Sequence, residues 1–380
     1  MNSGKIPEIT FKKYIKKLLE KGVFEGVFPC AASGILYGLE KERKKIITYC
    51  GNAVLFPEKR KVKKKDYFDL ASLTKPFATT MAILCLVKMK KIGLDEKLSS
   101  LVEKKIKDER KEITIRQLLS HSAGFPAHRE YFNILRYLPR KKKSDHLETL
   151  LLNEKLEYKP GTRSVYSDLG FMLLGKIIEK KAECSLADFV EKKVLKPINL
   201  EKKIFYTRII AENKNHKQAD FVATENCKWR KKTLCGEVHD DNCYAMGGIA
   251  GHSGLFGNIE GVTALAGLIL DMWKGRAIHP NIENNDLKTF LRRQSYIPGS
   301  TWALGFDTPA ENGSSSGKHL SARSVGHLGF TGTSFWIDPV KEIVVVLLTN
   351  RVHPNRENMK IRQFRPLFHD RVLEKIIPLG

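Results

Sequence analysis

The stretch FDLASLTKPFATTMAILCL, residues 68–86, carries an S-x-x-K pattern at the entrance to an apolar helix. Its Ser72 and Lys75 stand three positions apart, and side chains at i and i+3 lie on the same helix face. Pro76 is tolerated there, because backbone donors in a helix's first turn have no intrahelical partner to lose. A desolvated lysine held neutral can activate a serine hydroxyl. The pair therefore predicts a nucleophile, provided that partner residues occur elsewhere in the chain.

The overall composition is that of a large folded protein. The chain has 380 residues, 42% of them hydrophobic, which is enough for one large or two medium cores. No run of about 18 uncharged apolar residues occurs, so we expect no membrane span. The N-terminal sequence has no apolar signal-peptide segment, and the seven scattered cysteines suggest no disulfide framework. Both features favour a cytoplasmic location.

The chain is strongly basic, with 66 Lys and Arg against 42 Asp and Glu, a net charge of +24. Such a balance can indicate a polyanionic partner. The densest basic runs, at 63–65, 140–143 and 230–232, lie far apart, and only Trp229 adds an adjacent aromatic ring. We therefore expect a solvated basic surface and no specific nucleic-acid partner.

Periodicity predicts helices and strands in a recognisable order. Short strands are expected at 30–37 and 45–54, a helix at 74–91 closed by Gly93, and strands at 334–338 and 342–350. Thr114 and Gln117 form a capping box at the start of another helix, and residues 130–290 look mostly helical. Amphipathic helices are expected at both ends, the last near 359–377. The first would turn five apolar residues inward: Phe11, Tyr14, Ile15, Leu18 and Leu19.

Strands near both ends of the chain, with helices between them, imply an α/β (α+β) fold in which the ends meet in one sheet. We expect a single domain over 1–380 with two lobes. Residues 1–72 and about 295–380 would form the sheet lobe, and about 73–294 the mainly helical lobe.

A tyrosine in PGTRSVYSDLGFMLLGKIIE, residues 160–179, is the first candidate partner for the serine and lysine. The apolar period predicts a helix capped by Ser167 or Asp168, so Tyr166 lies in the loop before it. A cationic lysine nearby would lower the pKa of this phenol and let it relay the serine proton. The alternative is a core tyrosine with a satisfied hydroxyl.

The segment SVGHLGFTGTSFWIDP, residues 324–339, is the second candidate. His327 and Gly329 would lie at an edge strand, where glycine allows close approach of a substrate. The N–H of Phe330, together with that of Ser72, could form an oxyanion hole, and His327 could donate to the other polar end of the substrate. A purely structural histidine is the alternative.

The glycine-rich segment VHDDNCYAMGGIAGHSGLFG, residues 238–257, predicts a cavity wall that contains His239 and His252. A metal site is disfavoured, because the spacing of Cys227, Cys235 and Cys243 matches no zinc pattern. We expect no metal and no cofactor.

Five segments in order resemble the serine β-lactamase and penicillin-binding-protein family, in its class C-like branch, which includes family VIII-type esterases and D-aminopeptidases. The similarity spans about 26–373 and rests on FDLASLTKPF, ITIRQLLSHSAGFP, PGTRSVYSDLGFMLLG, MGGIAGHSGLFG and GHLGFTGTSFWIDP. It implies an antiparallel sheet flanked by terminal helices, a helical lobe, and an acyl-enzyme mechanism. Ser72 would be the nucleophile, Lys75 and Tyr166 the general-base pair, and the His327 strand the oxyanion wall.

Two positions depart from that family pattern. Asp168 stands where penicillin-recognising relatives carry asparagine; it cannot donate an amide hydrogen bond and could instead pair with Lys75. His-Leu-Gly at 327–329 replaces Lys-Thr-Gly, and a neutral histidine is a weaker anchor for a substrate carboxylate. Both changes favour a small ester, lactone or amide that lacks this carboxylate.

The sequence thus predicts a serine hydrolase, carboxylesterase-like or acting on amides. Alternatives are a D-aminopeptidase or D,D-peptidase-like amidase, a weak β-lactamase, and a catalytically inactive binding scaffold. The string Gly313-Ser314-Ser315-Ser316-Gly317 also matches the nucleophile-elbow pattern, but it lacks the required strand before it and helix after it.

Overall fold

A computed structural model of the chain describes residues 7–104, 106, 109–207 and 220–376. The strands are β1 Cys30–Tyr37, β2 Lys44–Val54, β3 Arg60–Lys61, β4 Phe68–Asp69, β5 Ile204–Tyr206, β6 Ala223–Cys227, β7 Lys232–Cys235, β8 Leu255–Gly257, β9 Val325–Leu328, β10 Ser334–Asp338 and β11 Ile343–Thr349. The helices are α1 Glu8–Phe24, α2 Met81–Lys88, α3 Leu98–Leu101, α4 Ile115–Leu119, α5 Phe132–Leu135, α6 Arg140–Asn153, α7 Asp168–Ala182, α8 Leu186–Phe189, α9 Asp241–Ala245, α10 Ile259–Trp273, α11 Asn284–Phe290 and α12 Ile361–Ile376. Shorter helical turns are Glu40–Glu42, Ala71–Leu73, Lys75–Thr80, Glu109–Glu112, Val190–Leu195 and Lys196–Ile198.

One antiparallel sheet joins strands from both ends of the chain, as predicted. Its strand order is β3-β2-β1-β11-β10-β9. The apolar run of β11 is buried along its whole length, because side chains on both faces of a central strand are covered. Val345 and Leu347 pack into the cluster that contains α1 and α12 residues, and Val344 and Val346 pack into the main core with α10. This sheet is the rigid platform that carries β9 at its edge.

The terminal helices cover one face of the sheet. On α1, Phe11, Ile15 and Leu19 are buried, while Tyr14 and Leu18 are partly buried against the same cluster. The inward face predicted for this helix is therefore confirmed. The last helix ends at Ile376; its predicted final residue, at 377, lies outside the described part of the chain.

The helix predicted at 74–91 is present as a π-helical turn, Lys75–Thr80, followed by α2, Met81–Lys88. Its predicted closure by Gly93 is wrong, because the helix ends at Lys90, whose φ is 56°. Backbone bonds from Lys90 to Val87 and from Lys91 to Leu86 end it there, three residues before Gly93. The capping box at α4 is confirmed. The region 130–290 is also less helical than expected, because it contains β5 to β8.

Pairing of β4 with β8 is the part of this region that matters for the site. Phe68 lies opposite Gly257 and Asp69 opposite Phe256, in a small sheet of order β4-β8-β5. These strands are only two or three residues long. Such short segments show no alternation of apolar and polar residues, so periodicity could not predict them. The pairing fixes the chain just before Ser72.

The basic surface is largely as expected, with one exception. Lysines 63–65 are exposed, but the guanidinium of Arg230 is buried, donating to the carbonyl of Val238 and to Asp241 Oδ1 at 2.7 Å. Within the described ranges, no helix has the length and apolarity needed to cross a bilayer. The cytoplasmic location, the absence of a nucleic-acid partner and the division into lobes stay predictions.

Close packing of α10 on β1 gives a test of this architecture. A β-carbon at Gly34 would lie 1.9 Å from Thr263 Oγ1, so Gly34→Ala should lower the free energy of unfolding by about 2 kcal/mol. The control is Gly93→Ala, where no atom lies within 4 Å and the loss of unfolded-state entropy should raise stability by about 0.5 kcal/mol. Urea unfolding measures both; equal effects of the two variants would contradict the packing described.

Candidate active site

A short, strained turn presents Ser72. It follows β4 in the helical turn Ala71–Leu73, and Ala71 has a φ of 48°, in the left-handed region that L-residues disfavour. Asp69 Oδ1 accepts the Ala71 N–H at 2.8 Å, and Thr74 Oγ1 donates to the Ala71 carbonyl at 2.7 Å. These two bonds hold a backbone conformation that would otherwise relax.

Three of the predicted residues meet at this turn. Lys75 Nζ donates to Ser72 Oγ at 3.0 Å and to Tyr166 Oη at 2.7 Å, and Tyr166 Oη donates to Ser72 Oγ at 2.6 Å. Tyr166 directly precedes α7, which Ser167 caps by accepting the Gly170 N–H, as expected. The geometry is that of a closed triangle of hydrogen bonds; the catalytic roles of its members stay predictions.

Asp168 forms the ion pair that the sequence allowed. Its Oδ1 lies 2.7 Å from Lys75 Nζ, and the lysine side chain is fully buried. Burial lowers the pKa of Lys75, but the charge of Asp168 and the oxygen of Tyr166 outweigh it, so the net pKa lies above its usual value. The raised pKa keeps Lys75 cationic in the resting protein, because the Asp168 carboxylate lies beside it. Activation of Ser72 by a neutral lysine would therefore first require loss of that proton.

The phenol of Tyr166 is also not as expected. Lys75 pulls its pKa down, but burial acts more strongly, and the net pKa is above the ordinary value. The Asp168 carboxylate raises it further. Lys75 and Tyr166 thus share their protons as a coupled pair that is fully protonated at rest. This pair can accept the serine proton only after it has lost one of its own.

His327 lies on β9, at the sheet edge, as predicted. Its Nδ1 lies 2.8 Å from the Leu328 carbonyl, and its Nε2 has no hydrogen-bond partner in the described part of the chain. Burial and the nearby Lys75 charge lower its pKa to about 3. The ring is therefore neutral, and its one N–H, on Nδ1, donates to the Leu328 carbonyl. Nε2 is then an acceptor and a weak anchor for an anion.

The turn between β9 and β10, residues 329–333, brings backbone close to the nucleophile. A β-carbon at Gly329 would lie 2.8 Å from the Leu70 carbonyl and 3.4 Å from Ala71 Cβ, so only glycine fits. The side chain of Phe330 is half-exposed, and its ring stacks on that of His239 at 5.5 Å. The predicted oxyanion donors, the N–H groups of Ser72 and Phe330, lie on two segments in direct contact.

The two histidines of the glycine-rich segment lie in the wall of the same cavity. His252 Nε2 lies 2.9 Å from Asp240 Oδ1, and its carbonyl accepts from Lys75 Nζ at 3.3 Å. His239 Nε2 lies 3.0 Å from Glu225 Oε2. Both rings are partnered by carboxylates and support the wall, and neither reaches the Ser72 hydroxyl through a hydrogen bond.

Sequence reasoning missed three side chains around the tyrosine. The rings of His121 and Trp302 lie 4.8 Å and 5.6 Å from that of Tyr166, and His128 Nδ1 lies 3.4 Å from Asp168 Oδ2. His121 belongs to the quoted LLSHSAGFP motif, which could have indicated it. His128 and Trp302 follow no pattern of spacing, because they reach the site from loops.

The cavity in front of Ser72 has a volume of about 650 Å³ and is lined by both polar and apolar side chains. Aromatic and polar side chains from distant segments form it, among them Tyr166, Trp302 and Phe330. Such a volume suits a small-molecule substrate. Among the residues that the structure describes, no group of three or more His, Cys, Asp or Glu could hold a metal ion.

Comparison with known proteins identifies relatives along most of the chain. The sequence profile of the Beta-lactamase family matches residues 15–368. An N-acetylmuramyl-L-alanine amidase of Bacillus subtilis (strain 168) is 34% identical, over 77% of this chain and 70% of the relative. A putative D-alanyl-D-alanine carboxypeptidase of Salmonella enteritidis PT4 (strain P125109) is 33% identical, over 77% of this chain and 71% of its own length.

Solved structures share the fold at lower identity. The octameric penicillin-binding protein homologue from Pyrococcus abyssi has a TM-score of 0.70 at 21% identity, covering 96% of this chain and 79% of that one. EstCE1, a hydrolase with promiscuous acyltransferase activity, has a TM-score of 0.70 at 19% identity, covering 94% and 99%. The predicted β-lactamase/transpeptidase-like fold is confirmed. The chain belongs to the Beta-lactamase family of serine hydrolases.

Proposed function

We propose that this protein hydrolyses a small ester or amide through an acyl-enzyme on Ser72. The closed triangle of Ser72, Lys75 and Tyr166 carries this proposal, with oxygen and nitrogen atoms 2.6 to 3.0 Å apart. Those distances are within the range needed for proton transfer between positioned groups. An inactive scaffold would have no need to bury a lysine against a serine and a phenol.

The reaction would proceed in two halves. Ser72 Oγ attacks the substrate carbonyl carbon while its proton passes to the Lys75–Tyr166 pair. The resulting oxyanion is bound by the N–H groups of Ser72 and Phe330. Collapse of the tetrahedral intermediate breaks the bond to the leaving group, which receives the proton, and water then releases the acid by the same steps.

Amides are the second candidate substrate class. The names of the two relatives, an amidase and a putative carboxypeptidase, support amide substrates. Efficient β-lactam hydrolysis is disfavoured, since His327 is neutral and Asp168 is engaged by Lys75. The physiological substrate is therefore sought among short acyl esters and D-amino-acid peptides.

Replacing the nucleophile tests the proposal directly. Ser72→Ala should reduce turnover of p-nitrophenyl butyrate by roughly a thousandfold or more while leaving the circular dichroism spectrum unchanged. The control is Ser315→Ala, which removes the central serine of the alternative elbow pattern and should keep full activity. Undiminished hydrolysis by the Ser72 variant would remove this residue from the mechanism.

The Asp168 carboxylate should set the pH dependence. It raises the pKa of both Lys75 and Tyr166, so Asp168→Asn should let the pair lose its proton at lower pH. The rising limb of kcat/KM against pH should then move to lower pH.

The matched control for this shift is Asp271→Asn. Asp271 pairs with Arg43, remote from the cavity, and its loss should leave the profile in place. A limb that stays fixed or moves to higher pH in Asp168→Asn would contradict the assignment of the coupled pair as the base.

A substrate panel separates the two candidate classes. We expect wild-type protein to cleave p-nitrophenyl butyrate and to show little activity on D-Ala-D-Ala peptides with a free carboxylate, because the neutral His327 is a weak anchor for that carboxylate. Liquid chromatography of the products measures both. Faster cleavage of the peptides than of the ester would instead assign the protein as a D-amino-acid amidase that uses the same serine.

A further inference from the structure

The β9–β10 turn is fixed from two sides. Toward the nucleophile, Thr331 Oγ1 donates to the Asp69 carbonyl at 2.8 Å and Thr333 Oγ1 donates to the Leu70 carbonyl at 3.2 Å. Both acceptors lie in the strand and turn just before Ser72. On the opposite side the turn meets α12. Its position relative to the serine is therefore determined by direct hydrogen bonds and not by sheet pairing alone.

A buried arginine on α12 makes the contact on that opposite side. The Arg365 guanidinium donates through Nη2 to the carbonyls of Gly329 at 2.6 Å and Thr333 at 3.0 Å, and through Nε to the Gly332 carbonyl at 3.3 Å. Only 7% of the residue is exposed. All of its described hydrogen-bond acceptors are backbone carbonyls of the turn.

Among the described residues, the charge of this arginine has no counter-ion. Within the part of the chain that the structure describes, no carboxylate lies at ion-pair distance from Arg365. Burial, then the neighbouring guanidiniums of Arg351 and Arg362, lower its pKa to about 9, so it remains cationic at neutral pH. A buried charge without a counter-ion is costly, and among the described residues the carbonyl groups of the turn are what stabilises this one.

The contact with Gly329 has a specific consequence. The Gly329 carbonyl and the Phe330 N–H belong to one peptide group, whose atoms share electrons by resonance. A cation on the carbonyl oxygen draws electron density from the nitrogen and makes its N–H a stronger donor, the cooperative effect seen in hydrogen-bond chains. Among the described residues, the Phe330 N–H has no acceptor, so it is available to a substrate oxygen.

We propose that Arg365 is a positioning residue that polarises the Gly329–Phe330 peptide so that it binds the reaction's oxyanion. The proposal rests on the proposed function, since it assumes an acyl transfer at Ser72. The counter-charge that the described residues do not give Arg365 is then supplied in the transition state by the substrate oxygen. The interaction is stronger there than with the neutral substrate carbonyl of the ground state.

A purely structural role is the competing explanation, because Arg365 also ties three carbonyls of the turn together. The two roles differ in what they change. Loss of polarisation lowers kcat and weakens binding of tetrahedral oxyanion analogues, with KM nearly constant. Loss of the turn's geometry would also raise KM, because substrate binding would weaken. A lysine, which restores the charge but not the contacts with all three carbonyls, would then not recover activity.

The experiment compares Arg365→Met and Arg365→Lys with Phe368→Leu, one turn along the same buried face of α12. Hydrolysis of p-nitrophenyl butyrate and inhibition by phenylboronic acid, which forms a tetrahedral anion on serine, are measured where all variants are folded. We expect Arg365→Met to lower kcat about ten- to hundredfold and boronate affinity in parallel, with KM changed less than about twofold. Arg365→Lys should recover part of both losses, whereas Phe368→Leu should lower the melting temperature and keep kcat.

The proposal is overturned if Arg365→Met keeps its kcat and boronate affinity, or if KM rises as much as kcat falls. If Arg365→Met does not fold, the same kcat, KM and boronate measurements are made on Arg365→Lys. A rise in KM without a loss of kcat in that variant refutes the proposal. Failure of the proposed function looks different: wild-type protein would then form no acyl adduct on Ser72, whatever residue occupies position 365.

Discussion

The fully buried ammonium group of Lys75 is the constraint on which the site depends. A charge in that position must be compensated, and Asp168 at 2.7 Å does so. The remaining N–H donors of the ammonium are then directed at the Ser72 and Tyr166 oxygens. One ion pair thereby holds together four side chains from two distant segments. The carbonyl of His252, in the cavity wall, is a further acceptor.

The base side and the oxyanion side of the nucleophile differ in how their positive charges are compensated. On the base side, the Lys75 charge is neutralised by Asp168, which makes the resting pair hold its protons. On the oxyanion side, the partners of Arg365 in the described part of the chain are backbone carbonyls of the β9–β10 turn. Negative charge that develops on a substrate oxygen is therefore attracted toward the turn and away from Asp168. The scaffold supports both sides, since β4 and β9 carry the two segments.

Much of this arrangement could be predicted from the sequence, because its signals are local. The S-x-x-K spacing, the helix cap at Ser167 and the apolar run of β11 each depend on neighbouring residues. Protonation states could not be predicted, because they depend on the balance between burial and charge at Lys75 and Tyr166. The role of Arg365 could not be predicted from the sequence. Its partners are backbone carbonyls more than thirty residues away along the chain, and contacts with backbone leave no pattern of side chains in a sequence.

The central claim is that Ser72 becomes covalently acylated in turnover. The most direct measurement is intact-mass spectrometry of the protein quenched in acid during hydrolysis of an activated ester, followed by peptide mapping. The account predicts a mass increase of one acyl group, located on the peptide that contains Ser72 and absent in the Ser72→Ala variant. An unmodified protein during rapid turnover, or an acyl group on another residue, would contradict it.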